Sequence, residues 1–203
     1  MEKLAENVLG VFCGGAGFRI AAIANGQKQE IIESGKTSDL LAVKIMQLLE
    51  KCDLKVDDID RLVVGVGPGS FTGSRVAVSF AKGLCCGNKK IEIVPFTTFE
   101  FLGYGKKCDA VLVPAFSNFV FVEKGGKQSC IEFLQSFDGD IVADEQTFYR
   151  WGKGKRIAPN EDFLGFVEHK ASQKGVEIND FKPIYLRASQ AEIEREKKNG
   201  HKN

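Results

Sequence analysis

VVGVGPGSFTGSRVAVSFAKGL, residues Val63 to Leu84, joins a short apolar run to an amphipathic run through a glycine-rich loop. A strand, a glycine turn and a helix N-terminus in this order bring free backbone N–H groups together at one place, where they can bind an anion. The first hypothesis is therefore a loop that binds the phosphate of a nucleotide. The alternative is a tight turn with a purely structural role.

Three known motifs fail on this stretch. The phosphate loop of nucleoside triphosphatases needs Gly followed by Lys and then Ser or Thr, whereas Lys82 lies well inside the predicted helix. The dinucleotide fingerprint begins at Gly65 and Gly67 but has Ser70 in place of its third glycine. A nucleophile elbow around Ser70 fails because Pro68 occupies the place of its first glycine. The pattern favours a tight turn and leaves a bound anion as the open alternative.

The composition is that of an ordinary folded soluble protein, with 203 residues, 43% hydrophobic and 27% charged. The 28 basic and 27 acidic residues nearly cancel, so the sequence predicts no broad basic surface for nucleic acid. A signal peptide and an apolar run long enough to span a membrane are not evident, which predicts a cytoplasmic protein without membrane contact. Six cysteines without a CxxC pair indicate reduced and mostly buried thiols.

The hydrophobic patterns divide the chain into two predicted domains. Residues 1–104 mix strands and helices, and residues 105–203 form a smaller, strand-rich half that ends in a charged tail at 192–203. Asn25-Gly26 between two strand-like runs predicts a hairpin, and Thr37 or Ser38 is a candidate cap for the first helix. Predicted strands lie at 8–12, 18–24, 29–32, 63–66, 91–94, 110–113, 119–123, 130–134 and 141–143, and predicted helices at 39–52, 72–86, 97–102 and 162–174.

Apolar residues cover unusually wide arcs on the two long helices, roughly 160° on 39–52 and roughly 200° on 72–86, against the roughly 100° stripe that one core face needs. One explanation is that each helix is packed between the sheet and other helices of its own chain. The other is that a partner covers the second face. Under the second explanation the predicted contact residues are Leu41, Ile45, Leu48, Phe71, Thr72, Arg75, Ala77, Val78 and Ala81.

Two blocks of sequence resemble the TsaB (YeaZ) family, whose members are partner proteins in making threonylcarbamoyladenosine on transfer RNA. They are GVGPGSFTGSRVAVSFAKGL, preceded by DDIDRLVVG, and PIYLRASQAEIERE near the end. The resemblance implies an α/β fold of the actin-like type, in two lobes, as in the sugar kinase and Hsp70 superfamily. It also implies a non-catalytic chain that dimerises with a TsaD-like catalytic subunit. A TsaE-like ATPase joins that complex, tRNA is bound only through it, and a homodimer is possible.

The chain departs from its superfamily where active members hold metal and phosphate. Their first strand usually ends in Asp, whereas this chain has Cys13, and a thiol cannot replace a carboxylate toward Mg²⁺. The catalytic relatives hold a metal with an HxxxH pair, but His169 and His201 lie far apart. We therefore expect no catalytic residue, no cofactor and no metal ligand, and we interpret Ser70 and Thr72 as turn and cap residues. The alternatives are an active nucleotide-dependent phosphotransferase of the same fold and, less favoured, a peptidase.

Overall fold

The computed structural model describes residues 7–24, 26–88, 90–116, 118–132 and 136–186. Within these ranges the chain forms two five-stranded sheets with α-helices packed around them. The strands are β1 (Val8–Phe12), β2 (Phe18–Ala24), β3 (Gln27–Glu33), β4 (Arg61–Gly65), β5 (Glu92–Phe96), β6 (Ala110–Pro114), β7 (Phe119–Lys124), β8 (Lys127–Glu132), β9 (Asp140–Val142) and β10 (Lys155–Ile157). The helices are α1 (Thr37–Lys51), α2 (Phe71–Gly87), α3 (Thr98–Gly103), α4 (Glu145–Trp151) and α5 (Phe163–Ala171).

The first sheet has the strand order β3-β2-β1-β4-β5. Strands β1, β2 and β3 form an antiparallel meander, while β4 and β5 run parallel to β1. Helices α1 and α2 cover one face of this sheet and α5 covers the other, and a separate hydrophobic core lies on each face. Every residue of β1 is buried, as expected for a strand covered on both faces. This explains why β1 and β4 are continuous apolar runs rather than alternating ones.

The second sheet repeats the plan of the first. Its strand order, β8-β7-β6-β9-β10, and its strand directions match those of β3-β2-β1-β4-β5 one for one. No repeat is evident in the sequence itself. Two sheets surrounded by helices agree with the α/β fold of the actin-like type that the resemblance implied, and the repeat of their topology is a finding of the structure.

Helices α3 and α5 connect the two halves of the chain. On α3, Phe99 is buried with the second-sheet residues Val111 and Phe121, whereas Phe101 is buried with Phe12 of the first sheet. Helix α5 follows β10 in the chain but packs on the first sheet, where Phe163 is fully buried. The second half of the chain therefore contributes to the core of the first. The predicted boundary between residues 104 and 105 stays a prediction.

Most predicted elements are present with shifted ends, and the hairpin is confirmed because Ala24 pairs with Gln27. The proposed cap of α1 was wrong: the helix begins at Thr37 after Lys36, which makes no side-chain cap hydrogen bond. The Ser38 hydroxyl instead bonds the Asp39 carboxylate.

Helix α4 and strand β10 were missed. Each is short, and the run of charged residues around β10 carries no strand alternation. Trp151, at the end of α4, is buried. The tail at 192–203, Asn25 and part of the strand predicted at 130–134 lie outside the described residues.

We expect Gly73→Ala to destabilise the fold and Gly83→Ala, in the same helix, to be neutral or stabilising. A Cβ at Gly73 would overlap the carbonyl oxygen of Cys13, whereas a Cβ at Gly83 meets nothing within 4 Å. Overpacking of a tight site costs about 1–3 kcal/mol, and Gly to Ala in an open helix interior gains up to about 1 kcal/mol. Urea unfolding of both variants measures the difference, and equal stabilities would contradict the close packing at Gly73.

Candidate protein–protein interface

The glycine-rich loop between β4 and α2 lies directly on the end of β1. The Ser70 amide donates to the Gly14 carbonyl over 3.0 Å, and a Cβ at Gly69 would overlap that same oxygen. Helix α2 then begins at Phe71, and the Ser70 hydroxyl accepts from the Gly73 amide over 3.1 Å. Ser70 is confirmed as a cap. The space between this loop and the strand end is filled by backbone.

Cys13 lies at that strand end and is buried. Burial raises the pKa of its thiol to about 12, so the group is a neutral thiol at physiological pH. A magnesium ion with a bound phosphate requires anionic or neutral oxygen ligands, which a buried neutral thiol does not provide. The chemistry of this position does not fit the metal–nucleotide site of active superfamily members. Among the described residues, no cluster of three or more His, Cys, Asp and Glu could hold a metal ion.

A cleft of about 320 Å³ lies at the turn between β1 and β2, with the rings of Phe12 and Phe101 in its lining. The Arg19 guanidinium at this cleft donates to the Glu161 carbonyl over 2.8 Å. It also lies 3.8 Å from the Glu30 carboxylate, whose pKa is raised because burial outweighs the opposing effect of the Arg19 charge. The cation of the cleft is therefore already held by groups of the chain, which makes it a poor anion site.

The exposed side of the α1–α2 layer carries large apolar side chains. We define the outer helix face as the exposed residues Ala42, Val43, Met46 and Gln47 of α1 together with Phe71, Thr72, Arg75 and Ser79 of α2. Val43 is 52% exposed and Met46 is 55% exposed, values unusual for side chains of their type. Exposed large apolar side chains on one helix layer are typical of a protein–protein contact.

The structure divides the nine predicted contact residues into two groups. Phe71, Thr72 and Arg75 are exposed. The six that are buried in the core of the chain itself are Leu41, Ile45, Leu48, Ala77, Val78 and Ala81.

The prediction that those six side chains reach a partner is corrected. Helices α1 and α2 pack against each other as well as against the sheet, so one chain buries a wider arc than a single stripe. Met46 lies in the predicted apolar arc but was absent from the predicted contact residues, as were Val43 and Gln47, because periodicity does not show which edge of an arc faces solvent. Whether a partner binds here stays a proposal.

The two signature blocks meet in space next to the outer helix face. The Ile184 amide donates to the Val66 carbonyl over 2.8 Å, which fixes the PIYLR segment beside the glycine loop. The Arg75 guanidinium lies 3.8 Å above the centre of the Phe71 ring, and its Nε donates to the Tyr185 hydroxyl over 2.8 Å. The sequence marked both blocks as significant but could not place Tyr185 beside Arg75.

The comparisons with known proteins agree with this architecture. A family model described as "TsaD: tRNA N6-adenosine threonylcarbamoyltransferase" matches residues 33–131. The tRNA threonylcarbamoyladenosine biosynthesis protein TsaB of Bacillus subtilis (strain 168) is 36% identical over 73 residues, which cover 36% of this chain and 31% of that protein. TsaB of Haemophilus influenzae is 31% identical over 80 residues, which cover 38% of this chain and 34% of that protein. The chain thus matches about a third of the length of these curated relatives.

Two solved structures from Pseudomonas aeruginosa share the fold. An uncharacterised protein described as similar to peptidase YEAZ superposes with a TM-score of 0.70 at 16% identity, covering 90% of this chain and 100% of that one. A second structure, described as YeaZ, superposes with a TM-score of 0.70 at 17% identity, covering 89% of this chain and all of the other. No helix in the described part of the chain is both long and apolar enough to cross a bilayer.

The chain is an α/β protein of the actin-like class. This class is indicated by its two sheets, by the match to the TsaD family model and by the superposition on the YeaZ-type structures. Within that class, the chain is similar to proteins named TsaB and YeaZ, in agreement with the resemblance that the two sequence blocks carry.

We expect the isolated chain to bind Mg²⁺–ATP more weakly than about 100 μM, a free energy near −5.5 kcal/mol. The reason is that Cys13 is a neutral thiol and the loop above it is packed onto the Gly14 carbonyl. Isothermal titration with ATP, run with Mg²⁺ and again with a chelator, measures this. Magnesium-dependent binding tighter than about 100 μM would contradict the expectation and favour the phosphotransferase alternative.

Proposed function

We propose that the chain is the non-catalytic partner subunit of a complex that adds the threonylcarbamoyl group to the adenosine next to the tRNA anticodon. In this proposal it acts by dimerising with a TsaD-like catalytic subunit. Involvement in threonylcarbamoyladenosine synthesis is supported by the TsaB relatives, whose names state that pathway. The partner role is supported by the outer helix face.

The outer helix face is the observation on which the proposal mainly depends. Helices α1 and α2 are fixed from below by a fully buried core, in which Leu48 and Ala77 have no exposed surface. Their outer side is therefore a rigid platform that displays Val43 and Met46 at more than half exposure. Met and aromatic side chains are enriched in protein interfaces, and a preformed surface costs little to order on binding.

The absence of catalysis in this chain is part of the proposal. It is supported by the neutral thiol of Cys13 at the place where the superfamily carries its carboxylate. It is also supported by the backbone of the glycine loop, which fills the space above Gly14. A structural role alone explains the glycine loop, since it starts α2 and positions the outer helix face.

The other partners follow from the same proposal. A TsaE-like ATPase joins the complex, and tRNA is bound through the complex rather than by this chain, whose 28 basic and 27 acidic residues nearly balance. Without its partner, the chain forms a homodimer through the outer helix face, because a two-fold contact presents the same patch twice. We place the partner-binding helices in the predicted 1–104 domain and the complex in the cytoplasm.

The experiment that tests the function is reconstitution of tRNA modification. Purified chain, TsaD-like subunit and TsaE-like ATPase from the same cell are combined with tRNA and a source of threonylcarbamoyl adenylate. We expect modified adenosine when all are present, and none with this chain alone. Full activity without this chain would reject the partner role.

We expect Met46→Arg to leave the fold intact and to weaken binding of the TsaD-like subunit at least about 10-fold. Met46 is 55% exposed, so its replacement changes stability by about 0.5 kcal/mol or less. A desolvated unpaired charge at an apolar contact costs more than the 1.4 kcal/mol that a tenfold change represents. Calorimetric titration of the two subunits measures the affinity, and analytical ultracentrifugation of the isolated variant measures the homodimer.

Tyr149→Arg is the matched control, because Tyr149 is an apolar ring that is 77% exposed on α4. It should bind the partner like the wild type. Ala81→Arg is unsuitable, since Ala81 has no exposed surface and the variant should lose its fold. A folded Met46→Arg variant with undiminished partner affinity would remove the outer helix face as the interface.

A further inference from the structure

Arg75 is held in a fixed position by two aromatic side chains from the two signature blocks. Its guanidinium lies over the Phe71 ring at 3.8 Å, and its Nε donates to the Tyr185 hydroxyl. The rings of Phe71 and Tyr185 are themselves in contact, with their centroids 5.4 Å apart. An arginine held in this way loses little side-chain entropy when it binds something else.

The charge of this arginine is not neutralised within the described part of the chain. No carboxylate of the described residues lies within ion-pair distance of Arg75, and the first turn of α2 contains no acidic residue. By contrast, the two arginines of the first sheet are paired with carboxylates, Arg61 with Glu92 at 2.7 Å and Arg19 with Glu30 at 3.8 Å. Among the described residues Arg75 is thus an ordered cation without an anionic partner, and its charge faces either water or a group from outside those residues.

The arrangement leaves one edge of the guanidinium available. The Nε–H is used by Tyr185 and one planar face is covered by Phe71, which leaves the two terminal nitrogens with their N–H groups for another ligand. Two parallel N–H donors in a plane match the two oxygens of a carboxylate. Phe71, 41% exposed, and Tyr185, 48% exposed, surround this edge with apolar surface that a partner would bury.

We propose that Arg75, held between Phe71 and Tyr185, binds a carboxylate side chain of the TsaD-like partner and anchors the outer helix face to it. This inference rests on the proposed function and names the chemistry of its contact. A protein carboxylate is favoured over the phosphates of RNA. Phosphate binding draws on several cations along a surface, whereas Arg75 is the basic residue among those that define the outer helix face. Tyr, Phe, Met and Arg together are the composition of interface hot spots.

The test compares Arg75→Ala, Arg75→Lys and Tyr185→Phe with the wild type by calorimetric titration against the TsaD-like subunit at two salt concentrations. Arg75→Ala should weaken binding roughly 10- to 100-fold, as expected for loss of a charge-assisted hydrogen bond. Arg75→Lys keeps the charge but loses the planar pair of donors, so we expect only partial recovery. Tyr185→Phe keeps the ring and removes the acceptor for Nε, and it should weaken binding by a smaller factor. Circular dichroism checks that each fold is retained.

Lys153→Ala is the matched control, because it removes one exposed cation in the second half of the chain. It should leave the affinity unchanged, and the loss of salt dependence should be specific to Arg75 variants. If folded Arg75→Ala binds the TsaD-like subunit with an affinity within twofold of the wild type, this inference is overturned and the proposed function stands. No binding by the wild type would overturn both. Arg75 variants that lose affinity for tRNA while keeping affinity for the protein would overturn it in favour of an RNA contact.

Discussion

The glycine loop between β4 and α2 lies against the end of β1, and the positions of both outer helices follow from this contact. The Ser70 amide donates to the Gly14 carbonyl. Because Gly73 has no side chain, the first turn of α2 can approach the Cys13 carbonyl more closely than a residue with a Cβ would allow. Because α2 starts there, its inner side meets the sheet and α1, and its outer side faces solvent. The same packing that closes the glycine loop onto β1 also supports the outer helix face, which we propose binds a partner.

A cluster of phenylalanines holds the other face of the first sheet. Phe96 and Phe166 meet edge to face with centroids 4.9 Å apart, and Phe101 and Phe163 meet in the same way at 5.4 Å. Such pairs contribute about 0.5–1.5 kcal/mol each beyond their burial. Since these rings come from β5, α3 and α5, they connect residues that precede the second sheet with residues that follow it. Lys170, buried beside the Glu100 carboxylate at 2.9 Å, adds an ion pair between α3 and α5.

The end of β1 in this chain differs chemically from a site that binds metal and nucleotide. A superfamily member that binds nucleotide needs space and oxygen ligands at the end of β1, whereas this chain has a neutral Cys13 there and loop backbone above it. The glycine loop of this chain packs tightly against that strand end. The PIYLR segment then lies beside it, and Tyr185 orients Arg75 at the edge of the outer helix face.

The sequence by itself determined the elements whose signals are local: the buried strands β1 and β4, the hairpin after Ala24, the Ser70 cap and the thiol at position 13. It also carried the two blocks that resemble the TsaB (YeaZ) family. Tertiary structure alone decided which arc of each helix is buried, because that depends on neighbours distant in sequence. Leu41 and Ala81 became core while Met46 became surface, although all lie in apolar arcs of their helices. It also decided the repeat of the sheet topology and the meeting of Arg75 with Tyr185, since strand order and contacts across 110 residues leave no periodic trace in the chain.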